Sequence, residues 1–312
     1  MNRVIRIGTR GSKLALWQAY YVADLLKARG LETEIVVVET KGDKILDVSI
    51  AKIGSKGVFT EELEERLASG EIDIAVHSAK DMQSKLPDGF ELIAFTKREK
   101  VNDIILSHNT NIDHKDNSKP LVLGTSSTRR IATLKHFYPH IQTVEVRGNL
   151  QTRISKMESG LCDALLLAFA GAHRMGYDDM IRQELSLEEF IPAVGQGSIA
   201  IESASALESE IKDLIVEACH HVESGYRLIA ERSYLRVLEG GCSIPVFALA
   251  DIKNEQLFLK GGIVSLDGME MVVHQVNGRP QDAEKLGERL AALVLNSGGE
   301  RILKNIKSAL KK

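Results

Sequence analysis

The sequence predicts two similar α/β lobes around a cleft, followed by a small α+β C-terminal domain with a three-stranded antiparallel sheet. Three observations predict it. Short buried-type apolar runs alternate with helical patterns, which implies parallel or mixed sheets covered on both faces. Two features occur twice: Ile7-Gly8-Thr9 followed by Ser12 returns as Leu123-Gly124-Thr125 followed by Ser127, and Gly70-Glu71-Ile72-Asp73 returns as Gly160-Leu161-Cys162-Asp163. After Cys242 the pattern changes to three strands, the last two joined across Asp267-Gly268, a hairpin signal. The expected bounds are 1–99 plus 198–218 for the first lobe, 100–197 for the second and 219–312 for the C-terminal domain.

Taken in order, Val4-Ile5-Arg6-Ile7-Gly8 reads as a short strand. Ser12 is a candidate N-cap for a helix with Leu14, Trp17, Tyr21 and Leu25 at helical spacing. A buried-type strand is expected at 34–39, then an amphipathic helix at 59–67 with Thr60 as its cap. The strand at 72–76 ends in His77-Ser78-Ala79-Lys80-Asp81, which places polar side chains at a carboxyl end. The polar stretch 109–119 is expected to be a loop between the lobes. The second segment repeats the plan: a strand at 121–124, a helix to about 137, a strand at 143–146, a helix to about 158 and a buried strand at 164–168. Ala193-Val194-Gly195-Gln196-Gly197 marks a bend, and the strand at 198–202 is expected to return to the first lobe. Helices at 207–218 and 223–238, strands at 246–251, 257–264 and 269–276, and helices near 281–296 and 300–310 complete the chain.

The chain has 312 residues, which implies two or three domains. Its 40 basic and 43 acidic residues leave a net charge of −3, so no global basic field points to nucleic acid. The start, Met1-Asn2-Arg3-Val4-Ile5-Arg6, has no apolar stretch of the secretory kind, and no apolar run approaches a membrane span. Cys162, Cys219 and Cys242 are odd in number and far apart. They point to a reducing cytoplasm, and none has zinc-ligand spacing.

Cys242 lies in Leu238-Glu239-Gly240-Gly241-Cys242-Ser243-Ile244-Pro245. The glycine pair permits φ > 0 and close approach, and Pro245 biases Ile244 toward extended backbone. A structural cysteine more often sits inside an apolar run, so this thiol is a candidate for chemistry. Arg10, Arg129, Arg130, Arg147 and Arg153 stand at strand-to-helix junctions. A cation there opposes the helix dipole by about 0.3–1 kcal/mol, so five are expected to surround an anion. For any one of them a solvated surface pair is the ordinary explanation. Such junctions gather at the carboxyl ends of the strands, where open α/β sheets bind ligands. Lys52 and Lys56 add to that cleft from a glycine-containing loop. Asp81, after a buried strand and beside Lys80, is the candidate acid or base; its plain alternative is a turn cap. His77 is expected to hydrogen-bond inside its lobe. His220-His221 reads as a surface feature, because adjacent helical residues face different ways. Gly124-Thr125-Ser126-Ser127 could cradle phosphate but lacks the Gly-Lys-[Ser/Thr] of a P-loop.

Seven motifs then occur in one order: Thr9-Arg10-Gly11-Ser12 with Leu14-Ala15-Leu16-Trp17-Gln18; Lys56-Gly57-Val58-Phe59; His77-Ser78-Ala79-Lys80-Asp81; Gly124-Thr125-Ser126-Ser127-Thr128-Arg129-Arg130; Arg147-Gly148-Asn149 with Thr152-Arg153; Ala193-Val194-Gly195-Gln196-Gly197; and Glu239-Gly240-Gly241-Cys242. The set resembles the porphobilinogen deaminase family, also called hydroxymethylbilane synthases, over nearly the whole chain. The resemblance is weakest at 108–120 and after about 250. It implies lobes of the type II periplasmic-binding-protein kind in a cytoplasmic, monomeric enzyme of tetrapyrrole and haem biosynthesis. Such enzymes join four porphobilinogen molecules head to tail with loss of ammonia, then release hydroxymethylbilane by hydrolysis. The resemblance implies a dipyrromethane cofactor held through a thioether at Cys242, and Asp81 as the catalytic acid/base. By the same resemblance Arg10, Lys56, Lys80, Arg129, Arg130, Arg147 and Arg153 bind acetate and propionate groups. Ser12, Gln18, Ser78, Thr125, Ser126, Ser127 and Gln196 match neighbouring binding positions. The chain departs from the pattern at Met82-Gln83, where Val-Pro is usual, at Lys41, where Arg is usual, and at Ser55, where Gly is usual.

The competing reading is a non-catalytic two-lobed receptor for a small anion. It leaves Cys242 and the third domain unexplained.

Overall fold

The computed structural model describes residues 3–41, 60–241 and 243–310. Strands β1 (Val4–Arg10), β2 (Glu32–Val38), β3 (Ile74–Ser78), β4 (Phe90–Phe95) and the distant β10 (Ile199–Ala204) form one sheet, in the order β2-β1-β3-β10-β4. Strands β5 (Asp103–Leu106), β6 (Val122–Gly124), β7 (Gln142–Val144), β8 (Ala164–Ala168) and β9 (Ile181–Glu184) form a second, in the order β7-β6-β8-β5-β9. The two orders match position for position. In each, the first three strands are parallel and the fourth, β10 or β5, runs against its neighbours. The return of the 198–202 segment to the first sheet is as expected.

Helices α1 (Lys13–Lys27) and α2 (Glu61–Ser69) belong with the first sheet, α3 (Thr128–Phe137), α4 (Leu150–Glu158) and α5 (Phe169–Arg174) with the second. Helix α6 (Ser209–Cys219) returns to the first, where Ile211, Ile215 and Cys219 join the core of Ile5, Ile7, Val22 and Ile201. The two repeated sequence features have a packing cause. A Cβ on Gly8 would lie 2.3 Å from the Ile72 side chain; one on Gly124 would lie 2.7 Å from the sulfur of Cys162. Asp73 and Asp163 then do the same job: each accepts a backbone N–H at the head of the neighbouring strand, from Arg6 at 2.8 Å and from Val122 at 2.7 Å. A backbone N–H near the start of a strand is thus satisfied twice by one device.

Two short connections cross between the sheets, 96–102 and 185–198. They are clasped together: Glu99 donates its N–H to the Gly197 carbonyl at 3.0 Å, and Arg98 Nε donates to the Gln196 carbonyl at 2.9 Å. Gly195 and Gly197 take φ of 77° and 90° here, left-handed values that glycine adopts readily. The polar stretch 109–119 instead joins β5 to β6 within the second sheet, so it is not a link between lobes.

Helices α7 (Val222–Val237), α8 (Ala283–Val294) and α9 (Glu300–Leu310) pack on a third sheet, β11 (Val246–Lys253), β12 (Gln256–Val264) and β13 (Met271–Gly278), antiparallel in that order. Its core holds Tyr234, Leu257, Leu259, Leu290, Val294 and Ile302. Glu231 on α7, fully buried, ties this part to the connections. It accepts both guanidinium ends of Arg98, at 2.5 and 3.1 Å, the N–H of Gly195 at 2.9 Å and the N–H of Ala250 at 2.8 Å. The hairpin tip rests on α3: Gly268 has φ of 77°, its carbonyl faces His136 Nδ1 at 2.7 Å, and Lys135 donates to the Leu266 carbonyl at 3.1 Å. Among the described residues no helix is long and apolar enough to cross a membrane.

Candidate functional site

At the carboxyl ends of β1 and β3, a cleft is lined by Arg10, Ser12, Gln18, Ser78 and Asp81. Ser12 caps α1, accepting from the Ala15 N–H at 3.3 Å. Gln18, buried, donates to Ser78 Oγ at 2.9 Å. Beyond β3 the chain makes one 3-10 turn, Ala79–Asp81. Asp81 is exposed there, whereas Met82 turns into the core. Lys80 keeps part of its surface open, yet the protein around its ammonium pulls its pKa down to about 8, through burial first and the repulsion of Arg130 and Arg153 after it. Neither Lys80 nor Asp81 has a hydrogen-bond partner among the described residues. A wider, shallow hollow beside Val4, Lys27, Leu31 and Thr33 lies at the amino ends of β1 and β2, away from this cleft. Lys52 and Lys56 lie outside the described residues.

The same ends of the second sheet look different. Ser127 caps α3, accepting from the Arg130 N–H at 3.4 Å, and Asn149 caps α4, accepting from the Thr152 N–H at 2.9 Å. Ser126 Oγ donates to the Val146 carbonyl at 2.6 Å, and Thr125 Oγ1 accepts from the Ser127 N–H at 3.3 Å. Arg129 and Arg130 do not point out as surface cations. Both are buried against Asp103: Arg129 Nη2 reaches Oδ2 at 2.7 Å, and Arg130 reaches Oδ1 through Nε at 3.0 Å and Nη2 at 2.7 Å. Gln196 Nε2 donates to the same Oδ1 at 2.9 Å. Burial alone would raise the pKa of Asp103; the two guanidiniums overcome that and hold it well below the carboxylate range. The anion expected at this junction is therefore, for this pair, a carboxylate of the protein itself.

Arg147 pairs with Glu145. Arg153 donates Nε to the Gly148 carbonyl at 2.8 Å, and its pKa is lowered by burial and then by Arg130. Asp81 pulls the other way on both Lys80 and Arg153. Cations of the two sheets thus feel one another across the cleft, with one exposed carboxylate between them. Arg174 was not anticipated: it donates to the Gly197 carbonyl at 2.8 Å and lies 5.3 Å from the Trp17 ring centroid, joining α5 to α1.

Cys242 also lies outside the described residues. Its flanks correct one expectation. Gly240 does not take positive φ; Glu239 does, at 49°. Gly240 is needed for space instead, since a Cβ there would lie 2.5 Å from Leu235 and 2.9 Å from Val246. His220-His221 is likewise more than a surface feature. The N–H of Phe95 donates to His220 Nδ1 at 3.3 Å, and His221 Nδ1 caps α7 by accepting from Ser224 at 3.2 Å. Thr60 precedes α2 without a side-chain cap bond, and accepts from Gln83 Nε2 at 3.2 Å instead. His77 is buried inside the lobe with Nε2 3.0 Å from Glu202, but among the described residues neither that nitrogen nor the Glu202 oxygens makes a hydrogen bond, so the contact is a charge approach and not the hydrogen bond expected.

Fold and site together define a two-lobed α/β protein with basic side chains and one exposed carboxylate, Asp81, gathered at the carboxyl ends of its strands. Residues 5–212 match the family model "Porphobilinogen deaminase, dipyromethane cofactor binding domain", and 226–296 match "Porphobilinogen deaminase, C-terminal domain". The chain is 56% identical, over the full length of both, to a porphobilinogen deaminase of Cytophaga hutchinsonii. It is 54% identical to one of Desulfosudis oleivorans, covering 97% of this chain and 98% of that protein. Among solved structures it is similar to the VFT2 domain of Bordetella pertussis BvgS, at 18% identity and a TM-score of 0.43, covering 69% of this chain and 86% of that one. The chain belongs to the porphobilinogen deaminase family, whose members are transferases and carry a dipyrromethane.

Proposed function

We propose that the cleft holds a dipyrromethane attached to Cys242 and adds porphobilinogen units to it, with Asp81 as the acid/base. One observation carries the reading: the Lys80 ammonium, without a hydrogen-bond partner among the described residues, stands beside Asp81 and within electrostatic reach of Arg130 and Arg153 from the other sheet. A buried cation set near other cations calls for an anion. A dipyrromethane with an acetate and a propionate on each ring fits that need. The buried Nε of Arg129 also has no partner among the described residues. Arg10, Arg147, Arg153, Lys80 and Lys56 would take carboxylates, and Ser12, Gln18, Ser78, Thr125, Ser126 and Ser127 would supply neutral donors. Arg129, Arg130 and Gln196 would act from their places on Asp103. Bound dipyrromethane supplies the primer for the growing chain and stays on the protein when hydroxymethylbilane is hydrolysed off.

When porphobilinogen loses ammonia, its exocyclic C–N bond breaks with the electron pair leaving on nitrogen. Positive charge then develops on the pyrrole N–H. An Asp81 carboxylate facing that group favours the transition state over the ground state. After the new C–C bond forms, the same carboxylate accepts the proton lost as the ring regains aromaticity. We divide the chain into 1–99 plus 198–218, 100–197 and 219–312, a division that the three sheets support, with Arg98 and Glu231 near where the parts meet. We read the protein as a cytoplasmic monomer; the described cysteines Cys162 and Cys219 are free thiols, and sedimentation tests the monomer. The intact mass of the purified protein tests the attachment. A mass above that of the sequence by one dipyrromethane, located on the peptide holding residue 242, is expected. An active enzyme with unmodified Cys242 would overturn it.

A further inference from the structure

The Asp81 turn is held unevenly. On its upstream side the Ala79 N–H donates to the Ser198 carbonyl at 2.9 Å, and Gly195 packs so closely that a Cβ there would lie 2.9 Å from the Ala79 carbonyl carbon. Inside the turn there is a single bond, from the Met82 N–H to the Ala79 carbonyl at 3.3 Å. On the downstream side, no group from Ser84 to Leu86 hydrogen-bonds to any described residue. Gln83 alone fills that gap, and it reaches in two directions. Its Nε2 donates to Thr60 Oγ1 at 3.2 Å and to Glu64 Oε1 at 3.4 Å, both at the start of α2. Its carbonyl accepts from Arg232 Nη2 of α7 at 2.8 Å.

We infer that Gln83 is a positioning residue for the reaction: its side chain ties the backbone next to Asp81 to α2 and so fixes where the carboxylate stands. The inference rests on the reading of Asp81 as the acid/base. Proline at this position would restrain the same point by another route. It fixes φ covalently and lowers the freedom of the open chain. Two features of the neighbouring backbone suit it. Met82 has φ −75° and ψ 141°, the extended backbone a residue before proline takes, and the Gln83 N–H has no hydrogen bond among the described residues that proline would remove. This chain thus uses side-chain hydrogen bonds where a ring would serve.

The experiment uses the full-length, cofactor-loaded protein and single-turnover release of ammonia from porphobilinogen. Gln83→Ala is expected to slow release about tenfold with KM and melting temperature unchanged, short of the ~100-fold that a 1 Å misplacement can cause. Gln83→Pro is expected to recover most of the loss. In an Asp81→Asn background, Gln83→Ala is expected to cost less than about twofold more, because a residue acting through Asp81 has nothing left to position. Wild-type rates in Gln83→Ala, no recovery with proline, or the same tenfold loss on top of Asp81→Asn would each overturn the inference while leaving Asp81 in its role. Near-normal release by Asp81→Asn alone would instead remove the reading on which the inference rests.

Discussion

The two five-stranded sheets have one strand order, but the charges at their carboxyl ends are treated in opposite ways. In the second, Arg129, Arg130 and Gln196 close on the buried Asp103, so their geometry is set before any ligand arrives. In the first, Lys80 and Asp81 stand side by side without a hydrogen-bond partner among the described residues, and burial depresses the Lys80 pKa. If Asp81 is the acid/base proposed above, one scaffold used twice gives a half that holds and a half that reacts. Preorganised charge costs little reorganisation at the moment of reaction, while an uncommitted carboxylate is free to exchange a proton.

The sharpest way to break this contrast is to remove its fixed half. Asp103→Ala leaves two buried guanidiniums without their carboxylate, and is expected to cost about 3–5 kcal/mol in urea unfolding. The acid response should change too. Asp103 has a native pKa below its unfolded one, so its stabilisation is full above the unfolded carboxylate range and is lost as pH falls through the native value. The variant should therefore lose less stability than wild type on acidification. A midpoint shifted by under ~1 kcal/mol would mean that the second sheet is not pinned as described.

The free half can be probed by pH. Lys80 has its pKa lowered from 10.5 to about 8. Between those values the unfolded chain binds more protons, so cofactor-free protein should gain stability as pH rises through that window. Anion binding should move the other way. If the bound form needs Lys80 charged, affinity for a preformed tetrapyrrole should fall about tenfold from pH 7 to pH 9. Lys80→Arg keeps its charge throughout and should flatten that fall in a titration. An equal slope in both proteins would place the pH dependence elsewhere.

The matched caps give the smallest effect. Ser12→Ala on α1 and Ser127→Ala on α3 each remove one side-chain acceptor at equivalent positions. Each should cost about 1 kcal/mol by thermal or urea unfolding. A much larger loss at one than the other would show that the two junctions are less alike than their strand orders.

Much of this was legible in the sequence because it is local. The Gly-x-x-Asp repeats, the helical spacing after Ser12 and the Asp267-Gly268 hairpin all rest on short-range patterns. What escaped rests on contacts far apart in the chain. Asp103 opens a short apolar strand and looks ordinary until Arg129, Arg130 and Gln196 are folded onto it. A signal was present, since an acidic residue heading a run as apolar as Ile104-Ile105-Leu106 is rarely left unpaired when buried. The pairing of Glu231 with Arg98, and the role of Gly240 as packing space, depend on where whole elements dock. The loop at 109–119 was misplaced because polarity marks a loop without saying which strands it joins.

The account stands on Asp81 doing chemistry while the opposite sheet does the holding, and one comparison tests that directly. Asp81→Asn, loaded with cofactor from preformed tetrapyrrole, is mixed once with porphobilinogen while intact mass and ammonia are followed. The mass should show the cofactor retained as in wild type, and ammonia release should slow by roughly 10²–10⁴-fold. Near-wild-type release and chain extension would show Asp81 to be a turn residue and contradict the division of roles between the two sheets.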